Sequence, residues 1–203
     1  MVSARKIVLT FPISLMAYIL ACFGGVLLEY VLASTYKAKT FLEHGPVENL
    51  QMVLLLVSAV LFLVKSLRDQ KIRRVSLFLS GMCFLAVFRE LDSFMDEHIV
   101  CLGWKIGFLF VAVPAVYCLK NRRGLLQEVV ILVNRRVLVV LLFCAFIVIF
   151  PIAQCLGHKP FVSDVLENAH VGKIKELIEE SIETIGYLLI LCSSIEINRS
   201  HRG

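Results

Sequence analysis

The side chains of this chain that could do chemistry are carboxylates, histidines and one arginine gathered at the ends of apolar stretches. Glu43-His44-Gly45-Pro46-Val47-Glu48 opens one such stretch, with Pro46 where a helix start tolerates a missing amide proton. Glu48 there offsets the positive end of a helix dipole or, with His44, offers a carboxylate and an imidazole to a proton or cation. A second stretch ends Phe88-Arg89-Glu90-Leu91-Asp92-Ser93-Phe94-Met95-Asp96-Glu97-His98. At helical spacing Arg89, Asp92 and Asp96 share one face, and Glu90 lies on the neighbouring one. With the apolar stretch read as extending to residue 94, Arg89 and Glu90 fall one to two turns inside lipid, where a lone charge is costly and ionisable groups mark sites or ion pairs. The last stretch begins Glu176-Leu177-Ile178-Glu179-Glu180-Ser181-Ile182-Glu183. Glu176, Glu180, Glu183 and Tyr187 form one stripe, and Glu183 lies about 9 Å further in, beyond the reach of the end dipole.

Glu48, Glu90, Asp92, Glu180, Glu183 and His44 are therefore the candidate ligands of a divalent metal cation, since hard cations take oxygen donors and a histidine shifts the preference toward zinc, iron or manganese. Glu48, Glu90 and Glu183 are the candidate catalytic carboxylates, and Arg89 the candidate binder of a substrate phosphate or carboxylate. No H-E-x-x-H and no histidine pair at ligand spacing accompanies them.

The elements that must position these groups follow from composition. Of 203 residues, 59% are hydrophobic and 18% charged, too apolar for a soluble domain. The mean hydropathy of +0.84 points the same way. The apolar runs are about 18 to 25 residues long, enough to cross a hydrocarbon layer of about 30 Å. The expected fold is an all-α polytopic membrane bundle in a single domain, with about six transmembrane helices near 7–32, 47–64, 75–94, 103–119, 137–156 and 177–196. The first is a retained span, because its apolar run exceeds that of a signal peptide.

Orientation follows from the basic residues. Of the 21 lysines and arginines, 14 fall at the termini and in the 65–74 and 120–136 connections, 6 fall on the opposite side, and Arg89 lies within a span. The basic side is cytoplasmic, and both termini with it. These charges are topology signals and imply no nucleic acid. The acids run the other way: 13 of 16, Glu29 among them, map to the outer half, leaving Asp69, Glu128 and Glu196 inside. Leu125 to Val133 is too short to span and either lies at the cytoplasmic interface or extends the fifth helix. In the loop 157–175, Asp164 is placed to cap a short interfacial helix. The seven cysteines have no ligand spacing and read as small hydrophobes, with Cys101 and Cys155 alone near outer loops.

The combination E-H-G-P-x-E, F-R-E-x-D and E-E-x-x-E resembles a set of bacterial inner-membrane proteins with similar acidic motifs at helix starts and ends. The resemblance covers most of the chain and implies a multi-pass inner-membrane protein surrounded by lipid. The pattern departs from the membrane hydrolases related to alkaline ceramidases, which carry several intramembrane histidines. Three functions stay open: a metal-assisted hydrolase or transferase on lipid-linked material, a cation- or proton-coupled transporter or channel, and a non-catalytic assembly or regulatory subunit whose acidic outer face binds a basic partner. A membrane-protein partner or homo-oligomer is a separate expectation. The inner halves of the spans read as almost wholly apolar, which counts against a continuous polar path.

Overall fold

Lipid offers no hydrogen bonds to amide groups, so long apolar runs satisfy them internally as helices. In a computed structural model, which describes residues 2–36, 45–91, 103–156 and 171–199, the described chain is all-helical. Helix α1 (Val2–Tyr36) is followed by α2 (Pro46–Arg68), a 3-10 turn (Gln70–Ile72) and α3 (Arg73–Glu90). A second 3-10 turn (Gly103–Ile106) leads into α4 (Gly107–Lys120), then α5 (Arg122–Val133) and α6 (Arg136–Ile147). A π turn (Val148–Ile152) and a last turn (Ala153–Leu156) continue α6, and α7 (Val171–Arg199) closes the order. The helices outrun the apolar blocks because hydrogen bonding continues into polar flanks.

Two helical stretches, Ile13–Thr35 and Pro46–Arg68, are long and apolar enough to cross a membrane, and a third is added if the bent pair Arg122–Val133 and Arg136–Ile152 counts as one. Outward-facing side chains are apolar: Ile13, Leu20, Phe23, Val113, Val116 and Phe143 are all exposed. In a soluble protein such a surface would be an aggregation hazard; against lipid tails it is the expected one. A sharp bend after Val133 separates α5 from α6, so residues 125–133 do not extend the fifth span as a straight helix. The segment 157–170, with Asp164, lies outside the described residues, as does Cys101; Cys155 is a free thiol.

The chain divides into two units, Met1–Glu48 with Val140–Cys192, and Asn49–Val139 with Ser193–Gly203. In the first, α1 runs antiparallel to α7. Cys22 meets Cys192, Gly25 meets Leu188, and Glu29 meets Thr184, a constant register along the pair. The π turn packs on the same helix, with Ile149 and Val148 against Gly186. Pro151 explains that turn: a proline lacks the amide proton and crowds the preceding turn of an α-helix, and the wider turn closes instead with Ala153 N–H donating to the Val148 carbonyl.

In the second unit α3 and α4 pack antiparallel at close range. Gly81 makes this possible, because a Cβ there would fall inside the Phe110 carbonyl oxygen. Gly107 similarly lies against Phe88 and Leu85. Phe110 sits against Phe84 and Phe88, with ring centroids 5.2 and 5.3 Å apart. Such pairs add about 0.5–1.5 kcal/mol beyond the area they bury.

Candidate functional site

Along the first unit's helix pair, Gly25 removes the side chain that would hold α1 and α7 apart, and one turn later the chain places Glu29 in the seam. Glu29 is 5% exposed. Its carboxylate lies against the hydroxyls of Ser181 and Thr184 on α7. The Thr184 hydroxyl donates to the Glu180 carbonyl at 3.0 Å. The Thr184 hydroxyl has one proton to divide between that carbonyl and Glu29, and the Ser181 hydroxyl is a second donor beside the carboxylate. Among the described residues nothing hydrogen-bonds Glu29 Oε1. A buried carboxylate with one oxygen left without a donor is stabilised by taking up a proton or by a hard cation.

Glu183 is buried on α7 beside Thr184, and Tyr187, one turn on, is buried with it. Glu180 is half-buried one turn before, and Glu48 is half-buried in the first turn of α2. Glu180 and Glu183 thus share the helix that faces Glu29. Arg89 and Glu90 belong to the other unit. They pair with each other, Arg89 Nη2 to Glu90 Oε1 at 2.9 Å, with Arg89 43% exposed. They form the last turn of α3, which ends at Glu90 with Leu91 N–H bonding back to Val87 and Arg89. Arg89 there complements the negative helix end, which Glu90 alone would not. His44 and Asp92 lie outside the described residues. Among the described residues, no three His, Cys, Asp or Glu side chains group to hold a metal ion.

Sequence reasoning missed two features. Glu29 was counted only as one outer acid among many; its signal is a lone carboxylate seven residues inside the end of a 35-residue helix. The second feature is the set of acids on the basic side, each of which is paired. Asp69 Oδ2 lies 3.4 Å from Lys65 Nζ, Glu128 Oε1 is 2.7 Å from Arg74 Nη1, and Glu196 is 3.9 Å from Arg199. Glu128, 3% exposed, also accepts the backbone N–H groups of Arg74 at 2.6 Å and Val75 at 3.0 Å. Those are first-turn donors of α3, so a carboxylate on α5 caps a helix 54 residues earlier in sequence. The Arg74 guanidinium lies over the Tyr117 ring at 5.8 Å, and Gly124 leaves room for it.

The interior of this second unit is also more polar than its hydropathy suggested. Ser58, Ser66, Ser76, Ser80, Ser193 and Ser194 are buried. Ser80 Oγ donates to the Ala59 carbonyl at 2.8 Å, joining α3 to α2, and Asn198 Nδ2 donates to the Leu61 carbonyl at 3.1 Å, joining α7 to α2. Small hydroxyls hide in an apolar average because a hydroxyl can bond a helix carbonyl, as Ser58 does on Leu54, although Ser76 Oγ makes no hydrogen bond among the described residues. Buried hydroxyls thus stand within helices whose average hydropathy is apolar.

The fold and these sites define an all-helical protein with two or three helices able to cross a membrane and ionisable groups buried between helices. In comparison with known proteins, the chain matches no family, no curated protein and no solved structure.

Proposed function

We propose that this chain is a multi-pass membrane protein that binds a proton or a hard cation at Glu29 and couples it to transport. The observation that carries the reading is the Glu29 carboxylate, enclosed between two helices against two hydroxyls, with Oε1 bare among the described residues. A charge at such depth in a membrane helix costs about 3 kcal/mol or more and is retained where it serves a pathway or a relay. The second unit by itself also buries hydroxyls, in helices that read as almost wholly apolar, which removes the argument that counted against transport. The proposal keeps six crossings, with both termini cytoplasmic and Glu29 toward the outer end of α1, in a bacterial inner membrane. The 14 to 6 distribution of cations supports that orientation.

Topology is checked with compartment-specific reporter fusions at Lys71 and Lys159, which are expected to give opposite signals. Equal signals would reject the six-crossing arrangement. The site is checked with purified protein in weakly buffered detergent. Sodium, magnesium or calcium is expected to displace about one proton per chain from the wild type and none from Glu29→Gln, which keeps the side chain's shape and cannot ionise. If the acid instead holds its proton against all three ions, a protonated-carboxyl infrared band absent from Glu29→Gln is expected. Proton displacement by a divalent ion that persists in Glu29→Gln would overturn the Glu29 site and return the outer carboxylates to the metal reading. Proton release and spectra identical in wild type and Glu29→Gln would overturn the proposal.

A further inference from the structure

The basic end of the second unit holds more positive charge than its acids neutralise. Lys65, on the last turns of α2, is 1% exposed. Its Nζ makes no hydrogen bond among the described residues, and its charge contact is Asp69 at 3.4 Å. Asp69 is shared: its Oδ1 accepts the Lys71 amide at 3.0 Å and caps the Gln70–Ile72 turn. Arg135, at the break between α5 and α6, lies close enough to repel Lys65. Its Nη1 is fully enclosed with no acceptor among the described residues, although Arg135 as a whole is half-buried and reaches the surface. Two mutually repelling cations with unspent donors thus lie close together, and among the described residues the ion pair they make is that of Lys65 with the already engaged Asp69. An ammonium has three protons to place and a guanidinium five, and leaving them unsatisfied in a buried site is costly, more so for charged groups.

We propose that Lys65 and Arg135 bind a phosphate-type oxyanion, supplied either by the headgroup of an anionic phospholipid or by free phosphate. A tetrahedral oxyanion offers several acceptors to donors converging from two elements, and its charge offsets the excess left by the single carboxylate. The end of α2 that carries Lys65 belongs to the side rich in lysine and arginine, where anionic headgroups meet a membrane protein. Arg135 supplies the entry, because its side chain is the one of the pair that reaches the surface. Asp69 competes with the anion for Lys65.

The test uses detergent-purified full-length protein. Thermal unfolding is followed while phosphatidylglycerol, phosphatidylcholine or inorganic phosphate is added, with chloride at matched ionic strength as control. The wild type is expected to be stabilised by phosphatidylglycerol and not by phosphatidylcholine or chloride, as for any ligand that binds only the folded form. Stabilisation by inorganic phosphate as well would identify a free-oxyanion site, and stabilisation by phosphatidylglycerol alone a lipid headgroup site. Arg135→Gln is expected to weaken the binding about ten-fold, or about 1.4 kcal/mol, and Asp69→Asn to strengthen it. Arg135 is half-buried, so its variant keeps the test usable should Lys65→Met fail to fold. Failure of both phosphatidylglycerol and phosphate to stabilise the wild type would overturn the proposal, as would equal binding in wild type, Arg135→Gln and Asp69→Asn. These outcomes are separate from those at Glu29.

Discussion

Glu128→Ala should remove about 3–5 kcal/mol of stability, a large share of the 5–15 kcal/mol typical of a folded protein, and leave little folded material in the membrane. The buried carboxylate holds two amide donors at the start of α3 and one guanidinium nitrogen, at 2.6, 3.0 and 2.7 Å. Deleting it strands all three, and the guanidinium remains largely enclosed, with Arg74 Nε already lacking an acceptor among the described residues. Glu128→Gln keeps an acceptor oxygen for the amides but loses the charge, and is expected to fall between. Glu196→Ala is the control, because the Glu196 and Arg199 side chains are more exposed, 3.9 Å apart and one turn apart on one helix. A pair of that kind contributes at most about 1 kcal/mol. Thermal unfolding of the three purified variants decides the matter: equal losses for Glu128→Ala and Glu196→Ala would mean that the α5 carboxylate does not hold the start of α3.

Gly81→Val is expected to separate α3 from α4 and cost about 3 kcal/mol or more, the upper end for overpacking. The added Cβ meets the Phe110 carbonyl oxygen, which belongs to a helix backbone and cannot swing aside as a side chain would, and the Pro114 ring stands next to it at 3.3 Å. Parting the helices also pulls Phe110 from Phe84 and Phe88. Gly24 provides the contrast, since a Cβ there meets nothing within 4 Å. Gly24→Ala should be neutral or stabilise α1 by up to about 1 kcal/mol through helix propensity alone. The melting temperatures of the two variants should therefore move in different directions or by very different amounts. A Gly81→Val protein that melts with the wild type would refute the close approach of α3 and α4.

What the sequence by itself determined is one-dimensional: where the chain is apolar for long enough to form helices, and on which side its lysines and arginines collect. Hydropathy and helix geometry depend on neighbours within a turn or two, so the helices around residues 7–32, 47–64 and 103–119 could be read without a fold. Local chemistry also exposed the acids at helix starts and the Arg89–Glu90 dipeptide, although the end of α3 at Glu90 could not be read, because no residue type with a breaking signal stands there. The tertiary structure alone decided which charges meet. Glu128 and Arg74 are 54 residues apart, and no periodicity links them. Glu29 is buried because Gly25 lets α7 close over it, with Ser181 and Thr184 at the matching register. Burial and hydrogen-bond supply are properties of what surrounds a group, and in a helical bundle those surroundings come from helices distant in sequence. The protonation and ion binding argued for Glu29, and the anion binding argued for Lys65 and Arg135, depend on those neighbours and so could not be read from either residue's position in the chain.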